Sequence, residues 1–467
     1  MASQPPLPQP KAVLRGHHAQ VHAAAFVREN QRLASGDAEG YVVLWDLTIV
    51  RPRAVWRAHT NAILGIASWG SDKIITHGRD NQLVIWKLAE EDEASLSTTL
   101  PLDPSPTPRP QPWVLFILPV NTMNFCSFGF CPATDGGTTD ELLIAVPNTL
   151  ASESVDIYHF PSQKRLHTVV SSPKGEKTGM VMSLVLCRVN SGSLTLVTGY
   201  ENGLAMVTQQ QGAEGGTWDV SYRSQAHGQP VLSLDVSPSR DFFYSSGADA
   251  NVVKHPIPQP ASTYSIPETP TSSTTTLPSS PEPNIQISAK RDDSNNINKP
   301  AQQQPTKPTS LLSAALASAP KSAPIPQKQT VEVRTQPTKV VNTKHSGQQG
   351  LKVRSDGKIF ATAGWDSKVR VYSAKTLQEL AVLKWHQVGC YTIAFASLDL
   401  LPSTDGDDKA KRDGGSNELV SNDQSSKAVV PKLVDVTVKD RRIKQAKETH
   451  WLAAGSKDGK ISLWDIY

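Results

Sequence analysis

The stretch Ala58 to Leu88, AHTNAILGIASWGSDKIITHGRDNQLVIWKL, restricts the fold more than any other part of the chain. It sets His59, Thr76, Asp80 and Trp86 at the spacing of one WD-repeat blade, a unit of strands joined by tight turns. In such a unit the Trp indole N–H donates to the Thr hydroxyl, the hydroxyl bonds one imidazole nitrogen, and the other nitrogen donates to the carboxylate. A polar chain of this kind can be buried only because each member has a partner. His59 and Asp80 therefore read as scaffold and not as catalysts.

The spacing recurs. Blade 1 reads His17, Ser35, Glu39 and Trp45; Glu39 stands where Asp is usual, so this network is expected to be looser or to use Asp37. A third blade is expected from Trp113 to Phe130 with ELLIAVPN and SVDIYHF, lacking the polar network. A fourth runs from about Arg165 to Thr208, keeping Thr198 but placing Asn202 for Asp and Thr208 for Trp. The fifth has His227, Ser245 and Asp249, with His255 in the Trp slot; the sixth has His345, Thr362, Asp366 and Tyr372. The seventh opens at His386 and ends with Asp458 and Trp464, with Ala454 where a hydroxyl is expected. In blades 1, 2, 5, 6 and 7 the acid precedes the Trp-slot residue by six, and alternating apolar residues flank it. Ala12 to Arg15 is expected to pair as the outer strand of the last blade and close the ring. The fold class is thus all-β, a single WD40-type β-propeller of seven blades, with six or eight as the alternatives.

Composition marks what lies between the repeats. Residues 1–10 form a Pro-rich leader expected to be disordered, and blades 1–5 occupy 11–257. Residues 258–330 are dominated by Pro, Ser, Thr, Gln and Asn, with Tyr264 the single aromatic residue, and cannot offset the entropy of ordering. They read as a disordered insertion. Residues 331–398 are assigned to blade 6 and the start of blade 7, 399–447 to a polar insertion, and 448–467 to the end of blade 7. A shorter tract, 89–112, begins acidic, ends in SPTPRPQP, and reads as a linker that supplies no core.

The net charge of +4 on 467 residues is too balanced to indicate direct nucleic-acid binding. Four cysteines and no apolar leader point to reduced thiols, and Val114 to Leu118 is too short to cross a bilayer, so no membrane association is expected. His17, His18 and His22 resemble a metal run, but zinc sites need four spaced ligands, and His17 belongs to the repeat. Cys126 and Cys131 have no matching second pair. No phosphate loop, nucleophile elbow or carboxylate pair is present, so neither enzyme activity nor a cofactor is expected.

Other features concern contacts. KDRRIKQAK, Lys439 to Lys447, reads equally as an import signal or a solvated edge. SPTP at 105–108, Thr269-Pro270 and Ser280-Pro281 are candidate phosphorylation sites, and TSLLSAALASA at 309–319 is a helix-capable stretch. The residue before each turn acid is expected to project from the ring, which makes Arg79, Trp365 and Lys457 candidate partner contacts; the competing reading of Trp365 is that it covers a neighbour.

Several stretches together, SGDAEGYVVLWDL, RAHTNAILGI, HGRDNQLVIWKL, LPVNTMNFCSF, HQVGCYTIAF and AAGSKDGKISLWDIY, resemble the fungal ASTRA-associated protein 1 family, whose animal relatives are described as G-protein β-subunit-like. The resemblance implies a non-catalytic scaffold subunit of the ASTRA assembly, linked to chromatin remodelling in the nucleus, with the cytoplasm as the alternative location. It implies as partners the large kinase-related pseudokinase, the chaperone-like complex that matures such kinases, and RuvB-like ATPases. The competing readings are a substrate receptor of a ubiquitin ligase and a signalling β-subunit analogue. The latter is disfavoured by a Pro-rich leader where a long helix would hold a γ partner.

Overall fold

The computed structural model describes residues 8–466 apart from 105–107, 122, 124, 135–139, 171–176, 213–215, 260–332 and 399–436. The described residues form seven four-stranded antiparallel sheets arranged as the blades of a ring. Blade 1 is β2 (Val21–Val27), β3 (Arg32–Asp37), β4 (Tyr41–Asp46) and β5 (Arg51–Arg57); blade 2 is β6 (Ile63–Trp69), β7 (Lys73–Gly78), β8 (Gln82–Lys87) and β9 (Trp113–Pro119). Blade 3 comprises β10 (Gly129–Pro132), β11 (Leu142–Pro147), β12 (Val155–Phe160) and β13 (Lys164–Val169); blade 4 comprises β14 (Val181–Arg188), β15 (Leu194–Tyr200), β16 (Ala205–Gln210) and β17 (Trp218–Ser224). Blade 5 takes β18 (Val231–Val236), β19 (Phe242–Gly247), β20 (Asn251–Pro256) and β21 (Lys339–Asn342), and blade 6 takes β22 (Gln348–Val353), β23 (Ile359–Gly364), β24 (Val369–Ser373) and β25 (Glu379–Leu383).

The ring closes through the chain ends. Blade 7 consists of β26 (Cys390–Phe395), β27 (Trp451–Ser456) and β28 (Ile461–Asp465), and its fourth strand is β1 (Ala12–Leu14), with Ala12 opposite Leu463 and Leu14 opposite Ile461. Closure leaves short edges only. At this seam Gly459, with φ +75°, backs onto the carbonyl of His17; a Cβ there would come within 2.3 Å of that oxygen, so no side chain fits.

Four boundaries differ from the sequence reading. Trp113–Pro119 is the outer strand of blade 2 and not the start of blade 3; its partner is β8, with Ile85 opposite Phe116. Arg165 lies in the outer strand of blade 3, and blade 4 begins at Val181. Lys339–Asn342 completes blade 5, pairing Val253 with Val340, so blade 6 begins after it. The polar tract in blade 7 ends in a helix, α1 (Val438–Glu448), which starts at a capping box between Thr437 and Asp440. Residues 89–112 are also more than a linker: a short 3₁₀ turn at Glu91–Ser95 buries Glu93, and Leu96 joins the core between blades 1 and 2.

Alternation along the strands explains the core. In β6 the residues Ile63, Gly65, Ala67 and Trp69 are buried and their neighbours less so, while the two middle strands of blade 2 are buried on both faces by adjoining blades. Trp56 and Trp86 meet edge to face at 6.3 Å between blades 1 and 2.

Antiparallel order also assigns each connection to a face. Turns between second and third strands, and links from one blade to the next, share the upper face; connections from first to second and from third to fourth strands share the lower face. The long tracts of blades 2, 5 and 7 are all of the lower kind. There the turn Arg28-Glu29-Asn30 reaches both ways. Arg28 pairs with Glu93 at 2.7 Å and donates to the Ser71 carbonyl at 2.6 Å, while the Asn30 amide donates to the carbonyls of Ser397 and Lys447 at 2.7 and 3.3 Å.

Among the described residues no helix is long and apolar enough to cross a membrane.

Candidate interaction site

The buried polar chain expected of blade 2 is present. His59 Nδ1 meets Asp80 Oδ1 at 2.8 Å, His59 Nε2 meets Thr76 Oγ1 at 2.8 Å, and Trp86 Nε1 donates to the same hydroxyl at 2.8 Å. Burial pushes the Asp80 carboxyl up, but the His59 and Thr60 hydrogen bonds outweigh it and hold the group below the usual carboxylate range. In blade 5, His227 joins Ser245 at 2.8 Å and Asp249 at 3.0 Å, and His255 takes the indole's place with Nε2 2.7 Å from Ser245 Oγ. Its Nδ1 is satisfied by Tyr222 at 2.7 Å.

Three other blades depart from the expected residues. In blade 1 the acid is Asp37 and not Glu39: His17 lies 2.7 Å from both Asp37 Oδ2 and Ser35 Oγ, and Trp45 donates to Ser35 at 2.8 Å. Ser35 and Asp37 are two apart on β3 and point the same way, whereas Glu39 sits in the turn and meets the exposed His18 at 3.0 Å. In blade 6, His345 stays outside, half-exposed and 3.7 Å from Asp366. Arg370 takes that carboxylate with two bonds of 3.1 and 2.6 Å, and Thr362 donates to Gln348 at 2.6 Å. Tyr372 contributes by stacking on Phe360 at 5.1 Å. In blade 7, Asp458 pairs with Lys460 and Ser456 and not with His386. The missing hydroxyl of Ala454 is supplied from the opposite position on β28, where Ser462 meets His386 at 2.8 Å and accepts from Trp464 at 2.8 Å.

Blade 3 holds a substitute network that motif reading missed. Asn121 donates to the Asn148 carbonyl at 2.7 Å, Asn148 donates to buried Asp156 at 2.8 Å, and Thr168 donates to Asp156 at 2.6 Å. The side-chain oxygens of Asn121 and Asn148 accept from the amides of Met123 and of Leu150 and Ala151. The backbone of two upper-face loops is thereby held at Met123 and at Leu150 and Ala151. The available signal was Asn immediately after each apolar run, in LPVN and AVPN.

The first of these loops, through Phe125 and Phe128, borders the central channel, a cavity of about 500 Å³ lined by the innermost strand of every blade. At its upper mouth the Arg79 guanidinium lies 4.4 Å from the centre of the Phe125 ring, and His22 stacks on Tyr391 at 5.5 Å. Trp365 is 47% exposed, donates to Gln349 at 2.9 Å and covers Gly347, where a Cβ would lie 2.1 Å from its ring. Lys457 is exposed on the blade 7 turn. The three candidate contacts thus share one face but do not form one patch.

Among the described residues no group of three or more His, Cys, Asp or Glu side chains could hold a metal ion. Cys126 and Cys131 are free and buried, and burial pushes the Cys131 thiol up to about 12. The run at 439–447 lies on α1, with Lys439, Arg441, Arg442 and Lys444 exposed and Lys447 paired to Glu29 at 2.5 Å. Residues 105–107, Thr269, Ser280 and 309–319 lie outside the described residues.

The family model for ASTRA-associated protein 1 matches residues 10–464. ASTRA-associated protein 1 of Pyricularia oryzae is 52% identical over 479 residues, covering 98% of this chain and 97% of that protein. The protein of the same name in Verticillium alfalfae is 50% identical over 468 residues, covering 100% and 94%. That of Schizosaccharomyces pombe is 31% identical over 421 residues, covering 83% and 94%.

Proposed function

The chain belongs to the ASTRA-associated protein 1 family, and on that premise we propose that it is a non-catalytic scaffold subunit of the ASTRA assembly, acting in chromatin remodelling and in the assembly of kinase-related complexes within the nucleus. The observation that carries the reading is the use of the repeat side chains. His17, His59, His227 and His386 are each held in a buried hydrogen bond to a blade hydroxyl, leaving them as structure and not as acid–base groups. A closed ring of seven sheets offers two broad faces of fixed shape, the property a subunit needs to hold large partners in register. The partners in this reading are the kinase-related pseudokinase, its chaperone-like complex and the RuvB-like ATPases.

Affinity capture of the tagged full chain from its own cells after mild lysis tests the proposal. These subunits are expected to co-purify, and the tagged chain is expected in the nucleus by imaging. Recovery of the chain alone, or with a ubiquitin-ligase adaptor in their place, sinks it.

A further inference from the structure

We propose that the upper face at blades 2 and 3 docks a short acidic and apolar segment of a partner polypeptide, with apolar side chains covering Met123, Phe125 and Leu150 and a carboxylate meeting Arg79. The inference rests on the scaffold reading and names the chemistry of one of its contacts. Met123, Phe125 and Leu150 are 74, 56 and 96% exposed. Three large apolar side chains on two upper-face loops that the Asn121–Asn148 bond joins make a patch where isolated exposed residues would need no explanation.

The described residues of the patch are anchored from beneath. Asn121, Asn148 and Asp156 are buried, hydrogen-bonded to one another, and fix the amides of Met123 and Leu150. Such a buried network costs desolvation, and what it secures is the backbone at Met123, Leu150 and Ala151. Backbone already held by hydrogen bonds loses less entropy on binding.

Charge selects the partner's sign. The turn acids Asp37, Asp80, Asp249, Asp366 and Asp458 are each engaged by a histidine, arginine or lysine of their own blade. Arg79 makes no ion pair among the described residues; its guanidinium lies over Phe125, at the edge of the apolar patch. A carboxylate set beside apolar side chains matches this arrangement. Exposed Glu153 shares the loop with Leu150, so the acidic residues of the segment belong on the Arg79 side. A nucleic acid is the poorer fit, since a backbone of phosphates needs a run of cations and the patch offers one beside three apolar side chains.

Fluorescence anisotropy on the full chain tests the site. The probes are a fluorescein-labelled dodecapeptide alternating Leu or Phe with Asp or Glu, the same peptide with Lys for the acids, the same with Ser for the apolar residues, and a thymidine oligonucleotide. The acidic–apolar peptide alone is expected to bind, at least about tenfold more weakly to Arg79→Glu and to Met123→Asp, and unchanged to Lys439→Glu on the lower face. Both upper-face side chains touch solvent, so each variant is expected to melt with the wild type, and unaltered melting makes the loss attributable to the site. Absence of binding, equal binding of the Lys peptide, undiminished binding to the two variants, or preference for the oligonucleotide overturns the assignment. If the chain still captures the ASTRA subunits in any of those cases, the site falls and the scaffold reading stands; if the wild-type chain is recovered alone, the scaffold reading falls regardless of the peptide.

Discussion

Replacing Asp37 and Glu39 in turn separates two readings of blade 1 that differ by one turn residue. Asp37 is fully buried; one carboxylate oxygen lies 2.7 Å from His17 Nδ1, and the other accepts from the amides of Glu39 and Tyr41 at 3.0 Å each. Asp37→Ala strands a buried imidazole N–H and two amides. A hydrogen bond to a charged acceptor contributes about 1.5–3 kcal/mol, and the amides lie near enough to the surface for water to offset part of their loss, so the total is roughly 3–5 kcal/mol. The Glu39 side chain is exposed and, among the described residues, bonds only the exposed His18 side chain, so Glu39→Ala is expected to cost under about 0.5 kcal/mol. With about 330 residues in the described structure and roughly 2.1 cal/mol/K of unfolding entropy per residue, Asp37→Ala corresponds to a fall of about 4–7 °C in Tm. Differential scanning calorimetry and urea denaturation of the full chain measure both variants. Equal destabilisation, or the larger loss at Glu39, refutes the placement of the blade 1 carboxylate.

Three further outcomes follow from the packing and the buried histidines. Trp86→Ala removes a side chain 4% exposed, its contact with Trp56 and the indole bond to Thr76, and should cost roughly 3–5 kcal/mol in urea denaturation; melting at the wild-type temperature contradicts its burial. Burial lowers His77 to about 3, His386 to about 4 and His255 well below its ordinary value, so below pH 6.5 the unfolded chain gains three protons that the folded chain refuses. Stability should therefore fall as the pH drops below 6.5, and His77→Leu, which replaces a ring with neither nitrogen hydrogen-bonded, should lessen that fall by about 1.4 kcal/mol per pH unit near pH 5 without loss at pH 7.5. Deleting 262–328 shortens the β20–β21 connection about fivefold, which lowers its closure cost by roughly 1–2 kcal/mol, so Tm should stay level or rise slightly; a fall of several degrees means that the segment supports the ring.

The residues that were legible in sequence are those whose role is local. His59 lies in the link before β6, Thr76 and Trp86 lie on β7 and β8, and Asp80 lies in the turn between them; their spacing is set by strand length and turn, which is what a repeat preserves. The failures share a cause: a partner supplied from elsewhere in the sheet. Ala454 can donate nothing, yet Ser462 faces it across the ladder and bonds both His386 and Trp464. Asp366 keeps its turn position, but Arg370, four residues on, competes for it with a bidentate bond that His345 cannot match. Trp113–Pro119 reads in sequence as the start of a new blade because strands of one blade are expected to follow closely, while here residues 88–112 intervene before β9 pairs with β8. The apolar edge at Met123 and Phe125 carries no repeat signature, and only the two asparagines beneath it distinguish it from core.

The lower face shows how such distant pieces are joined. Arg28, Glu29 and Asn30 have φ of 50, 50 and 64°, three successive left-handed residues without a glycine, a conformation that costs about 1–2 kcal/mol apiece. A turn of that kind persists only when its surroundings over-determine it. Arg28 is tied to Ser71, Leu88 and Glu93 of blade 2, and Glu93 is completed by Arg32 at 3.3 Å and Arg53 at 3.0 Å from blade 1. Asn30 both donates to and accepts from the Ser397 backbone, and it meets the end of α1 at Lys447, whose ammonium pairs with Glu29. Breaking any one of these contacts leaves the strain of the turn in place with less to oppose it, so the contacts to blades 2 and 7 reinforce each other through the backbone of blade 1. The ring seam is consequently clasped twice, once by the β1–β28 ladder and once by this turn, which explains how tracts inserted into blades 2 and 7 can interrupt the strand order without opening the circle.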